Sequence, residues 1–325
     1  MKFAVLLYGQ PRFIEVTKNR ILKEYSLEGH SFDFFVHFWE QIGFCPQCDK
    51  NDNYITNPNL HNYVRDLNPK IYQITDYSDL DILISQLNSV LKFLTSSVVY
   101  KKSGNTALRD VYGQHLSLQK AFSLMALYEK KHNFKYDAVI KTRTDFIFKD
   151  EACYSRKEKY LEAKASSYIL NLDKYGDTVV YATGLAKQTY HPNVNKFKNN
   201  NLGVYDPNDK AFVRDTFNYL RMSDIGLCCS RKAADFYYSK WFDTYISLFL
   251  ENNNIHVYKR HDTIQGEIAI LNNIVVKRLR KIRYHRLIFK DKAKKKWIRP
   301  DKVIFLDNKL DLQEQIHTQL VNFTV

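Results

Sequence analysis

Arg143 and Asp145 stand two positions apart in Lys141-Thr142-Arg143-Thr144-Asp145, directly after the apolar run Ala138-Val139-Ile140. A guanidinium meets phosphate oxygens through two parallel N–H donors, and a carboxylate can hold a divalent ion. A second such place is Gly9-Gln10-Pro11-Arg12, which ends the apolar run from Lys2 to Tyr8. Gly9 lets a backbone approach a ligand closely, Pro11 can open a helix, and Arg12 stands where a helix N-terminus would face an anion. Both places suit the handling of phosphate at strand ends. Each also has a plainer reading. An Asp after a strand can be a turn former with Arg143 as its surface salt-bridge partner, and Gly9 to Arg12 can be a simple turn with a solvated arginine.

The elements that must position these residues alternate between strand and helix. Ala138 to Ile140 reads as a buried central strand. Before it, Gly113 to Phe134 predicts a helix whose apolar stripe is Leu116, Ala121, Leu124, Met125, Leu127 and Tyr128. Further strands are predicted over Lys2–Tyr8, Phe32–Phe38, Lys70–Ile74, Tyr168–Leu172, Ser223–Ser230 and, as an edge strand, Asn273–Leu279. Further helices are predicted over Asp79–Leu94, Ser155–Ala165, Lys232–Leu250 and Thr263–Leu271. Lys101–Thr106 reads as a polar loop, and Gln188–Asp209, rich in Asn, Pro and Lys, as a long one. The alternation predicts an α/β fold, in which ligands sit outside the carboxyl ends of the strands. The turn after the first strand is not the G-x-G-x-x-G fingerprint, which disfavours a dinucleotide-dependent dehydrogenase.

Composition narrows the class. A chain of 325 residues with 45% hydrophobic content has ample material for a buried core. Its net charge of +14 is concentrated: Lys277 to Arg299 holds twelve Lys or Arg against Asp291 alone, which is +11 of the +14 and leaves +3 for the rest. The basicity is therefore a local device. No apolar run reaches the ~18–20 residues that span a bilayer, and Phe3 to Tyr8 is short for a signal peptide. Five cysteines (Cys45, Cys48, Cys153, Cys228 and Cys229) make no even disulfide framework, so a cytoplasmic setting is expected.

Other polar side chains have two readings each. His37, at the end of the second predicted strand, can face a ligand or be a satisfied strand-end histidine, and Trp39 reads as packing. Cys45-Pro46-Gln47-Cys48 has no second pair to complete a zinc site, so it reads as an incidental loop pair. The aromatic face of Lys232–Leu250 reads as core.

In this order, the landmarks resemble nucleotide-sugar glycosyltransferases of the GT-A type. More narrowly, they are similar to small glycosyltransferases of bacterial surface-polysaccharide loci and large DNA viruses. The matching features are Gly9-Gln10-Pro11-Arg12, His37-Phe38-Trp39, and Tyr136 to Asp145 with its Tyr-Asp-x-Val-Ile-x-x-Arg-x-Asp pattern. Asp224 before an amphipathic helix and Glu267 within a later helix also match. The resemblance implies a GT-A-like, Rossmann-type nucleotide-binding sheet flanked by helices over residues 1–150. A continuous acceptor and catalytic half over 151–275 and the basic C-terminal segment 276–325 would follow.

It further implies transfer of a sugar from a nucleoside diphosphate donor to a hydroxyl of a glycan or lipid-linked glycan. Gly9, Gln10, Arg12, Arg143 and Asp145 would bind the nucleotide, Asp145 would hold Mn²⁺ or Mg²⁺ and be catalytic in stabilising the leaving group, and Asp224 would be the catalytic base, its plainer reading being a strand-end cap. In the usual Asp-x-Asp metal motif the first position is an acid, whereas here it is Arg143, so the guanidinium itself can neutralise phosphate. The basic segment is expected to rest on an anionic membrane surface, making the protein peripheral there. Its interleaved Tyr284, His285, Phe289 and Trp297 also suit nucleic acid, although the near-neutral body disfavours that reading. A non-catalytic nucleotide-binding module is the remaining alternative.

Overall fold

The computed structural model describes residues 1–42, 55–83, 100–148, 179–182, 185–191, 196–208, 218–222, 226–239, 241, 243–244, 247, 261–278, 284–286, 289–291 and 296–298. In chain order the first strands are β1 (Lys2–Gly9), β2 (Ser31–Trp39), β3 (Gln41–Ile42), β4 (Ile55–Thr56), β5 (Ile71–Thr75) and β6 (Ala138–Thr142). Then come β7 (Phe146–Phe148), β8 (Val179–Ala182), β9 (Leu185–His191), β10 (Lys196–Asn201), β11 (Val204–Tyr205) and β12 (Asn218–Met222). The last are β13 (Leu227–Ser230), β14 (Val275–Arg278), β15 (Tyr284–Arg286), β16 (Phe289–Asp291) and β17 (Lys296–Ile298). The helices are α1 (Ile14–Glu24), α2 (Leu60–Asp66), α3 (Tyr100–His132), α4 (Arg231–Tyr238) and α5 (His261–Leu271).

One sheet runs β11-β14-β8-β13-β6-β1-β2-β5. The pairs β1–β2, β1–β6, β2–β5 and β8–β14 are parallel, while β13 and β11 run against their neighbours. The sheet is mixed, mostly parallel and compatible with a Rossmann-like fold. Its core follows from the pleat, because alternate residues of one strand face opposite sides. Phe3, Val5 and Leu7 of β1 pack with Ile14 and Ile21 of α1 and Leu60 and Val64 of α2. Ala4, Leu6 and Tyr8 pack on the other side with Leu118, Ala121 and Met125 of α3 and Trp241. A strand buried on both faces must be nearly all apolar, which is why Phe3 to Leu7 reads as a continuous run.

The strand order reverses at β1. The chain goes from β1 through α1 to β2 and through α2 to β5 on one side, and later through α3 to β6 on the other. The crevice between the carboxyl ends of β1 and β6 is therefore the topological switch point, where open α/β sheets take their ligands.

Several expectations need correction. Lys101–Thr106, expected as a loop, lies inside α3. Its polarity does not stop a helix whose later turns are already packed against the sheet. Gln188–Asp209, expected as one long loop, contains most of β9, all of β10 and all of β11. An antiparallel ladder needs backbone partners more than apolar side chains, and β9 has them on both sides, in β10 and β12. β14 is not an edge strand, because Val204 and Tyr205 of β11 pair with Lys277 and Val276. The predicted elements Ser155–Ala165 and Tyr168–Leu172 lie outside the described residues, as do Cys45, Cys48, Asp224 and the end of the helix predicted over Asp79–Leu94.

Candidate functional site

Five of the six sequence-predicted site residues come together at the switch point. After Leu7, which pairs with Thr142 of β6, the chain leaves the sheet at Gly9. Gly9 has φ +91°, a left-handed conformation that favours glycine, and a Cβ built there would meet nothing within 4 Å. The backbone conformation, not crowding, requires glycine, and the flank of this turn is open to close approach. Phe13, also left-handed at φ 60°, then delivers the chain into α1.

The Gly9 turn is fixed from beneath. Its N–H donates to Ser117 Oγ at 2.7 Å, and Ser117 Oγ donates to the His37 carbonyl at 2.8 Å. His37 Nδ1 lies 2.7 Å from the same hydroxyl and His37 Nε2 lies 3.0 Å from Thr75 Oγ1. The serine's one proton is used on the carbonyl, so Nδ1 must donate to Ser117 and Nε2 must accept from Thr75. Burial, with a smaller contribution from the nearby Lys120 charge, lowers the His37 pKa to about 3. His37 is thus a neutral, fully bonded buried histidine, the second of its two readings.

Above the turn, Arg143 grips Asp145 with both prongs: Nε to Oδ1 at 2.8 Å and Nη2 to Oδ2 at 2.7 Å. Arg12 reaches the same carboxylate from the β1 side, with Nη1 4.0 Å from Oδ2. Gln10 braces Arg12, accepting from its Nη2 at 2.6 Å while its own Nε2 lies 3.4 Å from the Tyr77 hydroxyl. Arg143 is therefore the salt-bridge partner of Asp145, but not on the surface. Side-chain exposure is 3% for Asp145, 14% for Arg143 and 13% for Arg12. Two guanidinium groups meeting over one buried carboxylate at strand ends form an anion seat.

This donor set does not fit the divalent cation that the resemblance implies. Both oxygens of Asp145 are engaged by Arg143. Among the described residues, no group of three or more His, Cys, Asp or Glu side chains is arranged to hold a metal ion.

Three features escaped the sequence reading. Lys141 is fully buried, with Nζ 3.4 Å from the Tyr8 hydroxyl and over the rings of Tyr8 (5.6 Å) and Trp241 (5.2 Å). Trp241 donates in turn to His115 Nδ1. The available signal was a lysine inside a strand buried on both faces, where a charge needs aromatic or polar company. The second is Thr144, 1% exposed between Arg143 and Asp145, whose hydroxyl has no hydrogen-bond partner. The third is Glu15 in the first turn of α1, where Oε2 is buried without a partner and burial raises the carboxyl pKa. A shallow depression lined by Lys2, His30, Phe134, Lys135 and Asp137 lies at the other end of the parallel strands. None of the predicted site residues reaches it, and a switch-point ligand would not either.

Two described segments approach the site from the second half of the chain. β13 starts at Leu227, opposite Lys141, so the chain enters β13 at this end of the sheet. β15 pairs with β7 and sets Arg286 opposite Phe146, the residue after Asp145. No family model matches the chain, and no curated protein matches it.

Proposed function

We propose that this chain is a glycosyltransferase that binds a nucleoside diphosphate-sugar at the carboxyl ends of β1 and β6 and transfers the sugar to a glycan hydroxyl. The observation that carries the reading is the convergence of Arg12 and Arg143 on Asp145 at the switch point, beside an open glycine turn. In this reading the two guanidinium groups take the diphosphate oxygens and stabilise the charge that builds on them as the sugar–oxygen bond breaks. Lys141, two residues before Arg143, adds positive potential beneath the leaving group. Asp224, three positions before Leu227 in sequence, takes the proton of the acceptor hydroxyl, the role the resemblance gives it. The basic segment, tied to β7 through β15, holds the enzyme near a lipid-linked acceptor at an anionic membrane.

Calorimetry with uridine and guanosine diphosphates, each with and without Mn²⁺, tests the reading. Binding of one of them is expected, weakened by about 1.5–3 kcal/mol in Arg12→Ala and again in Arg143→Ala, the scale of a charge-assisted hydrogen bond. Asp224→Asn should leave that binding intact and lower turnover. Absence of binding to either nucleotide overturns the proposal. Binding without sugar transfer to any glycan hydroxyl would leave a nucleotide-binding module.

A further inference from the structure

We infer that the Asp145 carboxylate is the intramolecular occupant of the Arg12–Arg143 anion seat, and that a diphosphate displaces it on binding. The inference rests on the nucleotide reading above and changes what Asp145 does in it, from metal ligand to placeholder.

The geometry is that of substitution. A carboxylate and a phosphate both present paired oxygens to the guanidinium fork, and Arg143 already uses Nε and Nη2 in that way on Asp145, at 2.8 and 2.7 Å. The fit to Asp145 is complete for only one of the two arginines. Arg12 stands off at 4.0 Å, beyond hydrogen-bond distance, and spends Nη2 on Gln10. An anion with more oxygens and a longer span than a carboxylate can serve both guanidinium groups at once, which is what a diphosphate offers. Access has the right order as well. The carboxylate is the most covered member of the cluster, while each arginine keeps an exposed margin, so an arriving anion meets the cations first. The turn carrying Asp145 joins β6 to the three-residue strand β7, so displacement needs only a rotation of the Asp145 side chain away from Arg143.

Displacement makes a prediction opposite in sign to metal ligation. If Asp145 competes with phosphate for the arginines, removing its charge must strengthen anion binding without metal. If it ligates a metal that binding needs, removal weakens binding; if it is a structural partner only, removal relieves like-charge repulsion but the Arg143–Asp145 contact persists in the liganded wild type. The probe is inorganic pyrophosphate, titrated by calorimetry into wild-type protein and Asp145→Asn in EDTA. The variant should bind about tenfold tighter, and its melting temperature, lowered by loss of the Arg143–Asp145 ion pair, should rise further on adding pyrophosphate than that of wild type. Equal or weaker binding by the variant overturns the inference.

The wild type separates displacement from mere relief of repulsion, and decides also if Asp145→Asn fails to fold, by ¹⁵N resonance of its arginine side chains. The Arg143 Nε–H signal, now set by Asp145 Oδ1, should shift as pyrophosphate or uridine diphosphate saturates. Saturation with that signal unmoved overturns the exchange and leaves the nucleotide reading standing. Failure of wild type to bind either ligand overturns both.

Discussion

The amide of Gly9 and the hydroxyl of Ser117 meet at 2.7 Å across 108 positions of sequence. That contact joins the end of β1 to α3, and through Ser117 to His37 of β2, so three elements hold one glycine in its left-handed turn. Ser117→Ala removes the acceptor of both the Gly9 and the His37 Nδ1 protons. A loss of about 1–3 kcal/mol is expected, the cost of leaving a buried donor unsatisfied. Urea denaturation measures it. Nucleotide affinity should fall as well, since the Gly9 turn sets the position of Arg12, and unchanged affinity would show the turn to be irrelevant to binding.

Gly9→Ala separates conformation from crowding at the same turn. The added Cβ meets nothing within 4 Å, so only the positive φ opposes it, at about 1–2 kcal/mol. A much larger loss in chemical denaturation would mean that the turn is also sterically closed.

His37 gives the fold a defined acid sensitivity. In the unfolded chain its imidazole takes up a proton near pH 6.5, whereas in the fold it resists protonation until about pH 3. Between these values the unfolded state binds more protons, so stability falls as pH falls, by at most about 1.4 kcal/mol per pH unit from this residue. His37→Asn keeps a donor toward Ser117 and cannot titrate. The difference in unfolding free energy between pH 7 and pH 4 should therefore be smaller in the variant, and an identical difference refutes the assignment.

The switch point was legible because it is written locally. Apolar runs ending in Gly9-Gln10-Pro11-Arg12 and Arg143-Thr144-Asp145 state both the strands and where they stop. Their adjacency was not legible, because pairing of Leu7 with Thr142 depends on α3 crossing to the other face of the sheet. The closure of Arg143 on Asp145 was one of two readings that the sequence left open, for a related reason. Its carboxylate faces a guanidinium two residues away, and spacing alone does not say whether such a pair closes on itself or opens to a metal. Ser117 and Thr75 could not be recognised as the partners of His37, since a serine in a helix and a threonine ending a strand carry no signal until the fold brings them together. The polar strand β10 and the two-residue strand β11 were invisible to periodicity because their partners, not their side chains, make them strands.

At the opposite end of the sheet, Arg231 opens α4 with a fork on Glu129, the last turn of α3, at 2.7–3.0 Å. Both side chains are at most 7% exposed. Although burial pushes the Glu129 carboxyl upward, Arg231 and the Tyr136 N–H outweigh it and hold the pKa below its usual value. Arg231→Met leaves that carboxylate buried without its main partner and should cost about 3–5 kcal/mol. Glu129→Met with Arg231→Met should recover most of the loss. Nucleotide affinity of the folded single variant should equal wild type, because the pair lies at the far end of the strands from Arg12 and Arg143. A change in affinity would tie the two ends together.

The basic segment supplies the last prediction. Among the described residues no helix is long and apolar enough to cross a membrane, and the proposed function attaches the chain peripherally. Lys277 to Arg299 carries +11 of the chain's +14, and its described parts are extended: β15 on β7, and the β16–β17 pair. Extended strands spread cations along a surface instead of stacking them on one helical face. Each Lys or Arg near an anionic bilayer contributes up to about 1 kcal/mol, so a few engaged together suffice for reversible binding. Flotation with phosphatidylserine-containing vesicles should recover the protein at low salt and release it steeply as salt shortens the Debye length to a few ångströms. Replacing Lys294, Lys295 and Lys296 with glutamate should abolish recovery without changing nucleotide affinity. Equal recovery on neutral vesicles, or none on either, removes the membrane from the proposal, and tighter binding to an arbitrary RNA under the same salt would assign the segment to nucleic acid instead.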